Sequence, residues 1–227
     1  MHEPSILTRT LPFVTMAALS LAAMMPAWAG SGTEPASPTT RTGQLPVAAS
    51  NLQTAVFAGG CFWGVDAVFK HVKGVAEVES GYAGGNANTA HYETVSEGNT
   101  GHAEAVRVRF DPARITYQQL LNVFFVVAHD PTEFNRQGPD VGTQYRSAIF
   151  FTDAEQQKSA MEAIRQLAAA RTYPAPIVTQ VTPLQAFYPA EAYHQNYLAR
   201  HTDQPYIVFN DLPKVAHLRK QFPDLYQ

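Results

Sequence analysis

The chain has 227 residues, 45% of them hydrophobic and 15% charged, and its formal net charge at pH 7 is −3. A slightly acidic chain without a basic cluster argues against nucleic acid as a partner. The chain has one cysteine, Cys61, which excludes a disulfide within the chain.

The first 29 residues have the pattern of a secretory signal peptide. Residues 11–25 are almost entirely apolar, and Ala27-Trp28-Ala29 is a small-x-small cleavage site. The apolar run is short for a membrane span, so we expect cleavage and no stable membrane insertion afterwards. This predicts an exported protein, with the periplasm as the expected compartment. An uncleaved anchor is the alternative.

The rest of the chain divides into a leader and one domain. Residues 30–50 consist mostly of Gly, Ser, Thr, Pro and Ala, which cannot bury a core, so we expect a flexible leader. Residues 51–227 have the size of a single domain.

Hydrophobic periodicity and turn residues predict alternating strands and helices in this domain. The predicted strands are, in chain order, 54–58, 75–80, 102–110, 147–151 and one or two within 177–187. The predicted helices are 61–70, 116–128, 153–171, 190–201 and 213–222. We therefore expect an α/β (α+β) domain with a mixed sheet flanked by helices. The order of elements is typical of a split βαβ (ferredoxin-like) core, although order alone does not determine strand pairing.

Cys61 lies where an apolar strand meets the first turn of a predicted helix, in the run Gly59-Gly60-Cys61-Phe62-Trp63-Gly64. Unpaired N–H groups and the helix dipole favour a thiolate there, and the glycines permit a tight turn with an accessible sulfur. The alternative is a small buried hydrophobic residue. The glycine pair and the two aromatic residues favour a reactive thiol.

Glu104 is predicted to lie on the buried face of the strand 102–110. Because side chains alternate along a strand, it shares a face with Val106, Val108 and Phe110. Burial without a cation is expected to raise its pKa and leave a neutral acid that can donate a proton. A glutamate at the strand end that turns toward solvent or caps a backbone turn is an equally good interpretation.

Other polar residues favour structural roles when they are considered singly. Asp140 lies in a polar loop and has the usual pattern of a turn residue, although such loops often carry function. Tyr82 and Tyr92 lie in or near a Gly-rich segment, where a tyrosine usually packs on the surface.

The histidines do not predict a metal site. His102, His129 and His194 have no metal-ligand spacing with Cys61 or with each other, and His194 is expected to belong to a packed face. A cysteine hydrolase with one of the eight histidines as its base stays open.

Together, five ordered motifs resemble the A-type peptide methionine sulfoxide reductases over about residues 54–222. The motifs are Gly60-Cys61-Phe62-Trp63-Gly64, Gly81-Tyr82-Ala83-Gly84-Gly85, Gly101-His102-Ala103-Glu104-Ala105-Val106, His129-Asp130-Pro131 and Gly142-Thr143-Gln144-Tyr145-Arg146-Ser147. The resemblance implies the split βαβ fold and reduction of the S epimer of methionine sulfoxide, free or in oxidised proteins. It implies no metal or organic cofactor.

The resemblance also implies roles for individual residues. Cys61 would be the nucleophile and Glu104 the acid that assists the sulfoxide oxygen. Two tyrosines, Tyr92 and Tyr145, would hydrogen-bond that oxygen. Three further residues, Phe62, Trp63 and Asp140, would bind the substrate, the two rings as an apolar wall for the S-methyl group and the aspartate on the polar side.

Recycling cysteines of the kind found in many relatives are missing from this sequence. The segment Val95-Ser96-Glu97 has no cysteine where some relatives have one, and neither has the tail 200–227. We therefore expect an external thiol, from a thioredoxin-like protein or a small molecule, to reduce Cys61 in a monomeric protein. The alternatives are a thiol peroxidase and an inactive relative that binds methionine-containing peptides.

Overall fold

The structure is a computed structural model that describes residues 51–227. The predicted signal peptide (1–29) and leader (30–50) lie outside the described residues, so both assignments stay predictions. No helix within 51–227 is long and apolar enough to cross a membrane.

Within residues 51–227, eight strands form one large sheet and one small hairpin. They are β1 (Gln53–Gly59), β2 (Val75–Ala83), β3 (Ala103–Phe110), β4 (Arg136–Gln137), β5 (Asp140–Val141), β6 (Ser147–Phe151), β7 (Gln180–Pro183) and β8 (Phe187–Pro189). The six-stranded sheet has the order β7-β6-β1-β3-β2-β8, and β4 pairs with β5. Only the β6–β7 pair is parallel, so the sheet is mixed.

The helices connect and cover the strands. The α-helices are α1 (Phe62–Lys70), α2 (Tyr92–Val95), α3 (Tyr117–Val123), α4 (Ala154–Ala169), α5 (Tyr197–Arg200) and α6 (Leu212–Gln221). Helix α3 continues as a π-helical segment over Phe124–Ala128, and another π-helical segment, Ile207–Asp211, leads into α6.

The central strands confirm the split βαβ core. Helix α1 connects β1 to β2, and β3 lies between these two strands. Helix α3 connects β3 to β6 in the same way, with β1 between them. The mixed sheet with flanking helices is the fold class that the order of elements predicted.

The two faces of the sheet carry different side chains. One face packs large residues of β1, β3 and β6 against α1, α3 and α4, and its centre includes Phe57, Val108 and Phe69. The opposite face is built mainly of alanines and is covered by the chain around Leu184 and Phe187. The catalytic candidates lie at the end of the first face, where β1 turns into α1.

Two predicted elements differ from the structure. The helix predicted over 190–201 is two short pieces, Ala192–His194 and α5, because Asn196 has a φ of +54°, a left-handed conformation that interrupts a right-handed helix. Strand β2 extends past its predicted end at Ser80 to Ala83, because β8 pairs with its last residues.

Candidate active site

Cys61 is the N-cap residue of α1, as the sequence indicated. The turn that precedes it needs glycine at position 60, where φ is +88° and a Cβ would lie 2.6 Å from the side chain of Gln137. Cys61 itself is 8% exposed. Cys61 is therefore almost completely shielded from solvent at the first turn of the helix.

Glu104 lies on β3 with its carboxyl against the same turn. The residue is 3% exposed, and one carboxyl oxygen, Oε2, accepts a 3.0 Å hydrogen bond from the backbone N–H of Phe62. Burial raises the pKa of Glu104 to about 8, with smaller contributions from Asp140 and Asp211, although the Phe62 hydrogen bond opposes the shift. The buried position and the raised pKa that strand alternation predicted are both confirmed.

The expectation of an accessible sulfur that favours the thiolate is wrong for the ligand-free protein. Burial raises the pKa of Cys61 well above its usual value, and the carboxylates of Glu104 and Asp211, once ionised, raise it further. Hydrogen bonding from the backbone N–H of Trp63 lowers it, as expected at a helix N-terminus, but is the weaker influence. The effects of burial and of the two carboxyl groups on the pKa of Cys61 are larger than the effect of the helix N-terminus, so the resting cysteine is a thiol.

A cavity of about 200 Å³ opens beside the thiol and brings all seven predicted site residues together. Its lining residues are Cys61, Phe62, Trp63, Tyr92, Glu104, Asp140, Tyr145 and Tyr206. Burial raises the pKa of both Tyr92 and Tyr145, and the nearby Glu104 adds to each shift. Both phenols therefore stay protonated at neutral pH, as hydrogen-bond donors must.

The two aromatic residues after Cys61 form one wall of this cavity. The indole of Trp63 stacks on Tyr197, with ring centroids 3.6 Å apart and planes within 5°. Its N–H donates a 3.1 Å hydrogen bond to Nδ1 of His194, whose ring also lies 5.0 Å from that of Phe62. His194 thus belongs to a packed aromatic face, as predicted, and it holds the orientation of the wall.

Tyr82 is not the surface residue that its Gly-rich surroundings suggested. It lies in β2, fully buried, and its hydroxyl donates a 2.8 Å hydrogen bond to Oε2 of Glu191. The other oxygen of Glu191 accepts a 3.0 Å hydrogen bond from the backbone N–H of Tyr92. Tyr82 and Glu191 therefore support the position of Tyr92, which is half-buried at the cavity.

Another buried histidine, His129, links the π-helical segment after α3 to the start of β6. Nδ1 of His129 lies 3.0 Å from the carbonyl oxygen of Phe124, and its Nε2 lies close to the Ser147 hydroxyl. Burial lowers the pKa of His129 to about 4. Within residues 51–227 there is no group of three or more His, Cys, Asp or Glu side chains that could hold a metal ion.

The cavity combines a thiol, a neutral carboxylic acid, three phenols and an aromatic wall. The profile of the family described as peptide methionine sulfoxide reductase matches residues 53–226. The chain belongs to this family.

Similar reductases come from several bacteria. The peptide methionine sulfoxide reductase MsrA 2 of Mesorhizobium japonicum is 57% identical over 179 residues, which cover 79% of this chain and 92% of the relative. The protein of the same name from Synechocystis is 49% identical over 176 residues, which cover 78% of this chain and 82% of the relative.

Solved structures of reductases share the fold. The reduced form of Mxr1 from Saccharomyces cerevisiae aligns with a TM-score of 0.64 at 32% identity and covers 68% of this chain and 88% of its own. Methionine sulfoxide reductase A of Corynebacterium diphtheriae aligns with a TM-score of 0.61 at 35% identity and covers 67% of this chain and 76% of its own.

In this peptide methionine sulfoxide reductase, Tyr206 is a cavity residue that sequence reasoning missed. Its hydroxyl donates a short hydrogen bond to Asp140, and its ring meets Trp63 edge to face, with centroids 6.0 Å apart. This bond lowers the pKa of Asp140, but burial raises it more. Tyr206 precedes a π-helical segment far along the chain, and no local pattern there pointed to the cavity.

Proposed function

We propose that the protein reduces the S epimer of methionine sulfoxide, free or in oxidised polypeptides, to methionine and thereby repairs oxidised proteins. Family membership supports the reaction. The cavity supports the assignment of roles, because it places the thiol of Cys61 beside the neutral carboxyl of Glu104 and two phenols. This juxtaposition of a nucleophile with a proton donor is the observation that carries the proposal.

Sulfoxide sulfur is a weak electrophile until its oxygen is hydrogen-bonded or protonated. Glu104 gives a proton to that oxygen, while the hydroxyls of Tyr92 and Tyr145 donate hydrogen bonds to it. The rings of Phe62 and Trp63 receive the S-methyl group, which requires an apolar wall. Each role uses a group that the cavity exposes to a bound substrate.

The reaction at Cys61 is a two-electron transfer between sulfur atoms. The cysteine sulfur attacks the sulfoxide sulfur and forms a transient bond to it. The protonated oxygen then passes to the cysteine sulfur as the sulfur–sulfur bond and the sulfur–oxygen bond of the substrate break, which leaves a sulfenic acid. Methionine is released as the thioether. The cysteine is oxidised and the sulfoxide is reduced. The sulfenic acid carries the proton that Glu104 gave, and the thiol proton restores the Glu104 carboxyl.

An external thiol completes the cycle. Cys61 is the one cysteine of the 227 residues, so no internal disulfide can capture the sulfenic acid. A thiol of a thioredoxin-like protein or a small molecule forms a mixed disulfide with Cys61 and releases water, and a second thiol then frees the cysteine. No metal or organic cofactor takes part in these steps.

The cellular setting is part of the proposal. The signal-peptide pattern of residues 1–29 supports export, and a periplasm is the compartment we propose, with cleavage of the signal and a monomeric mature protein. Fractionation of cells that express the full chain, with mass determination of the mature protein, tests the export and the cleavage together.

Burst stoichiometry tests the one-cysteine cycle. Without any reductant, the protein should release one methionine per chain and stop, and it should gain the mass of one oxygen or react with a sulfenic-acid probe. A burst of two equivalents, or sustained turnover without thiol, contradicts the cycle. Reduction of the R epimer of the sulfoxide in place of the S epimer contradicts the proposed stereochemistry.

The same preparation separates the two alternatives. A thiol peroxidase would consume hydrogen peroxide faster than methionine sulfoxide, and an inactive peptide-binding relative would release no methionine. Cys61→Ser is the matched control in each assay, because it keeps the cavity shape and removes the thiol.

A further inference from the structure

Two oppositely charged side chains lie behind the first turn of α1. Asp211 ends the π-helical segment before α6, and Lys214 lies in the first turn of α6 itself. Their side chains form an ion pair of 3.4 Å between Nζ and Oδ1. Asp211 is fully buried, whereas the side chain of Lys214 is 19% exposed.

The pair packs directly against the helix that carries the nucleophile. A Cβ at Gly64 would lie 2.2 Å from Oδ1 of Asp211 and 2.8 Å from Nζ of Lys214. Gly64 is three residues after Cys61, and positions three apart lie on the same side of a helix. Both charges are therefore within about one helical turn of the thiol.

Asp211 is poorly neutralised in this position. Its second oxygen, Oδ2, is buried without a hydrogen-bond partner among the described residues. Burial raises the pKa of Asp211 to about 6, although Lys214 lowers it. The Asp211 carboxylate and the Lys214 ammonium therefore each act on Cys61, because little water lies between them to screen their charges.

The charged and titratable groups that face Cys61 come from several elements. They are Glu104 on β3, Tyr92 on α2, Asp140 on β5, Tyr145 just before β6, Tyr206 and Asp211 in the segment before α6, and Lys214 on α6. Among the described residues, Lys214 is the cation whose charge favours the thiolate, while Glu104 and Asp211 oppose it.

We propose that Asp211 and Lys214 are positioning residues that control the ionisation of Cys61, Asp211 opposing the thiolate and Lys214 favouring it. The inference rests on the proposed function only in taking Cys61 as the nucleophile. A thiolate is the form that oxidants attack, and this chain has no second cysteine to rescue an oxidised one. Asp211 adds to the burial that keeps the resting cysteine protonated, and Lys214 limits that effect so that the thiolate can form when substrate is bound.

The rate of Cys61 alkylation by iodoacetamide, followed across pH without substrate, tests this directly. Because the chain has one cysteine, the label reports on a single group. At pH values well above the pKa of Asp211, where its carboxylate stays ionised without Lys214, Asp211→Asn is expected to speed alkylation and Lys214→Met to slow it, each by roughly three- to tenfold. The apparent pKa of Cys61 falls in the first variant and rises in the second, whereas Lys214→Arg keeps the parent value.

A second acid–lysine pair on α1 provides the control. Asp66 and Lys70 form an ion pair of 2.7 Å toward the other end of the helix, and Asp66 is also buried. Asp66→Asn and Lys70→Met are expected to leave the alkylation profile of Cys61 unchanged.

Opposite shifts support the proposal, since loss of packing would move both variants in the same direction. Equal shifts in both variants, no shift in either, or the same shifts in the control pair would overturn it. If Asp211→Asn does not fold, the comparison of Lys214→Met with Lys214→Arg decides. Alkylation needs no sulfoxide, so a negative result here is distinct from a failure of the burst assay.

Discussion

Glu104→Gln is expected to slow sulfoxide reduction and, at alkaline pH, to stabilise the fold. Glutamine keeps the shape of the side chain and can still accept the hydrogen bond from the Phe62 backbone, but it has no proton to give. We expect single-turnover reduction to fall by roughly two to four orders of magnitude, the range for a positioned general acid.

The stability change follows from the pKa of the buried carboxyl. Burial raises the pKa of Glu104 from its usual 4.5 to about 8. Because the folded-state pKa is the higher one, the stability that the neutral carboxyl contributes is complete below about pH 4.5 and is lost as the pH rises to about 8. The full difference corresponds to about 5 kcal/mol, and between about pH 5.5 and about pH 8.5 the wild type should lose about 3 kcal/mol relative to Glu104→Gln.

Two measurements check the pair of effects. Urea unfolding at the two pH values gives the change in unfolding free energy for each protein, and rapid-quench assay of released methionine gives the single-turnover rate. Glu77→Gln is the control, because the Glu77 side chain is 55% exposed on β2 and is not among the residues that line the cavity. A single-turnover rate within a few-fold of the parent would refute Glu104 as the acid. If the unfolding free energies of the wild type and Glu104→Gln changed equally with pH, the carboxyl would not be neutral in the folded state.

Three further substitutions have defined outcomes. Cys61→Ser should abolish methionine release and leave the circular dichroism spectrum unchanged, and substantial residual release would exclude Cys61 as the nucleophile. Gly64→Ala should lower the free energy of unfolding by about 1–3 kcal/mol in urea titrations, because its Cβ would lie 2.2 Å from Oδ1 of Asp211; an unchanged midpoint contradicts this close approach. Tyr206→Phe removes the hydrogen bond to half-buried Asp140, and we expect kcat/KM for a methionine sulfoxide peptide to fall about tenfold. A kcat/KM equal to that of the parent would show that the bond does not shape the cavity.

Local sequence patterns were sufficient to predict much of the core, the buried position of Glu104 and the helix that begins after Cys61. Strand alternation placed Glu104 on the buried face because neighbouring side chains of a strand point to opposite sides. The helix beginning after Cys61 followed from apolar residues three and four apart. The resemblance to the family implied roles for Tyr92, Tyr145 and Asp140, which these residues considered singly did not, since a loop aspartate or tyrosine has many ordinary roles.

Two features of the site depended on contacts between segments that are distant in the sequence. They are the protonation of Cys61 and the pairing of Asp140 with Tyr206 at the cavity. A helix start favours a thiolate, but the carboxyls of Glu104 and Asp211, brought in from β3 and from the segment before α6, oppose it together with burial. Asp140 and Tyr206 are 66 residues apart and meet only in the folded chain. Local periodicity determines which face of an element is buried, whereas the charge and solvent exposure at a site depend on every element that packs there, which only the tertiary structure decides.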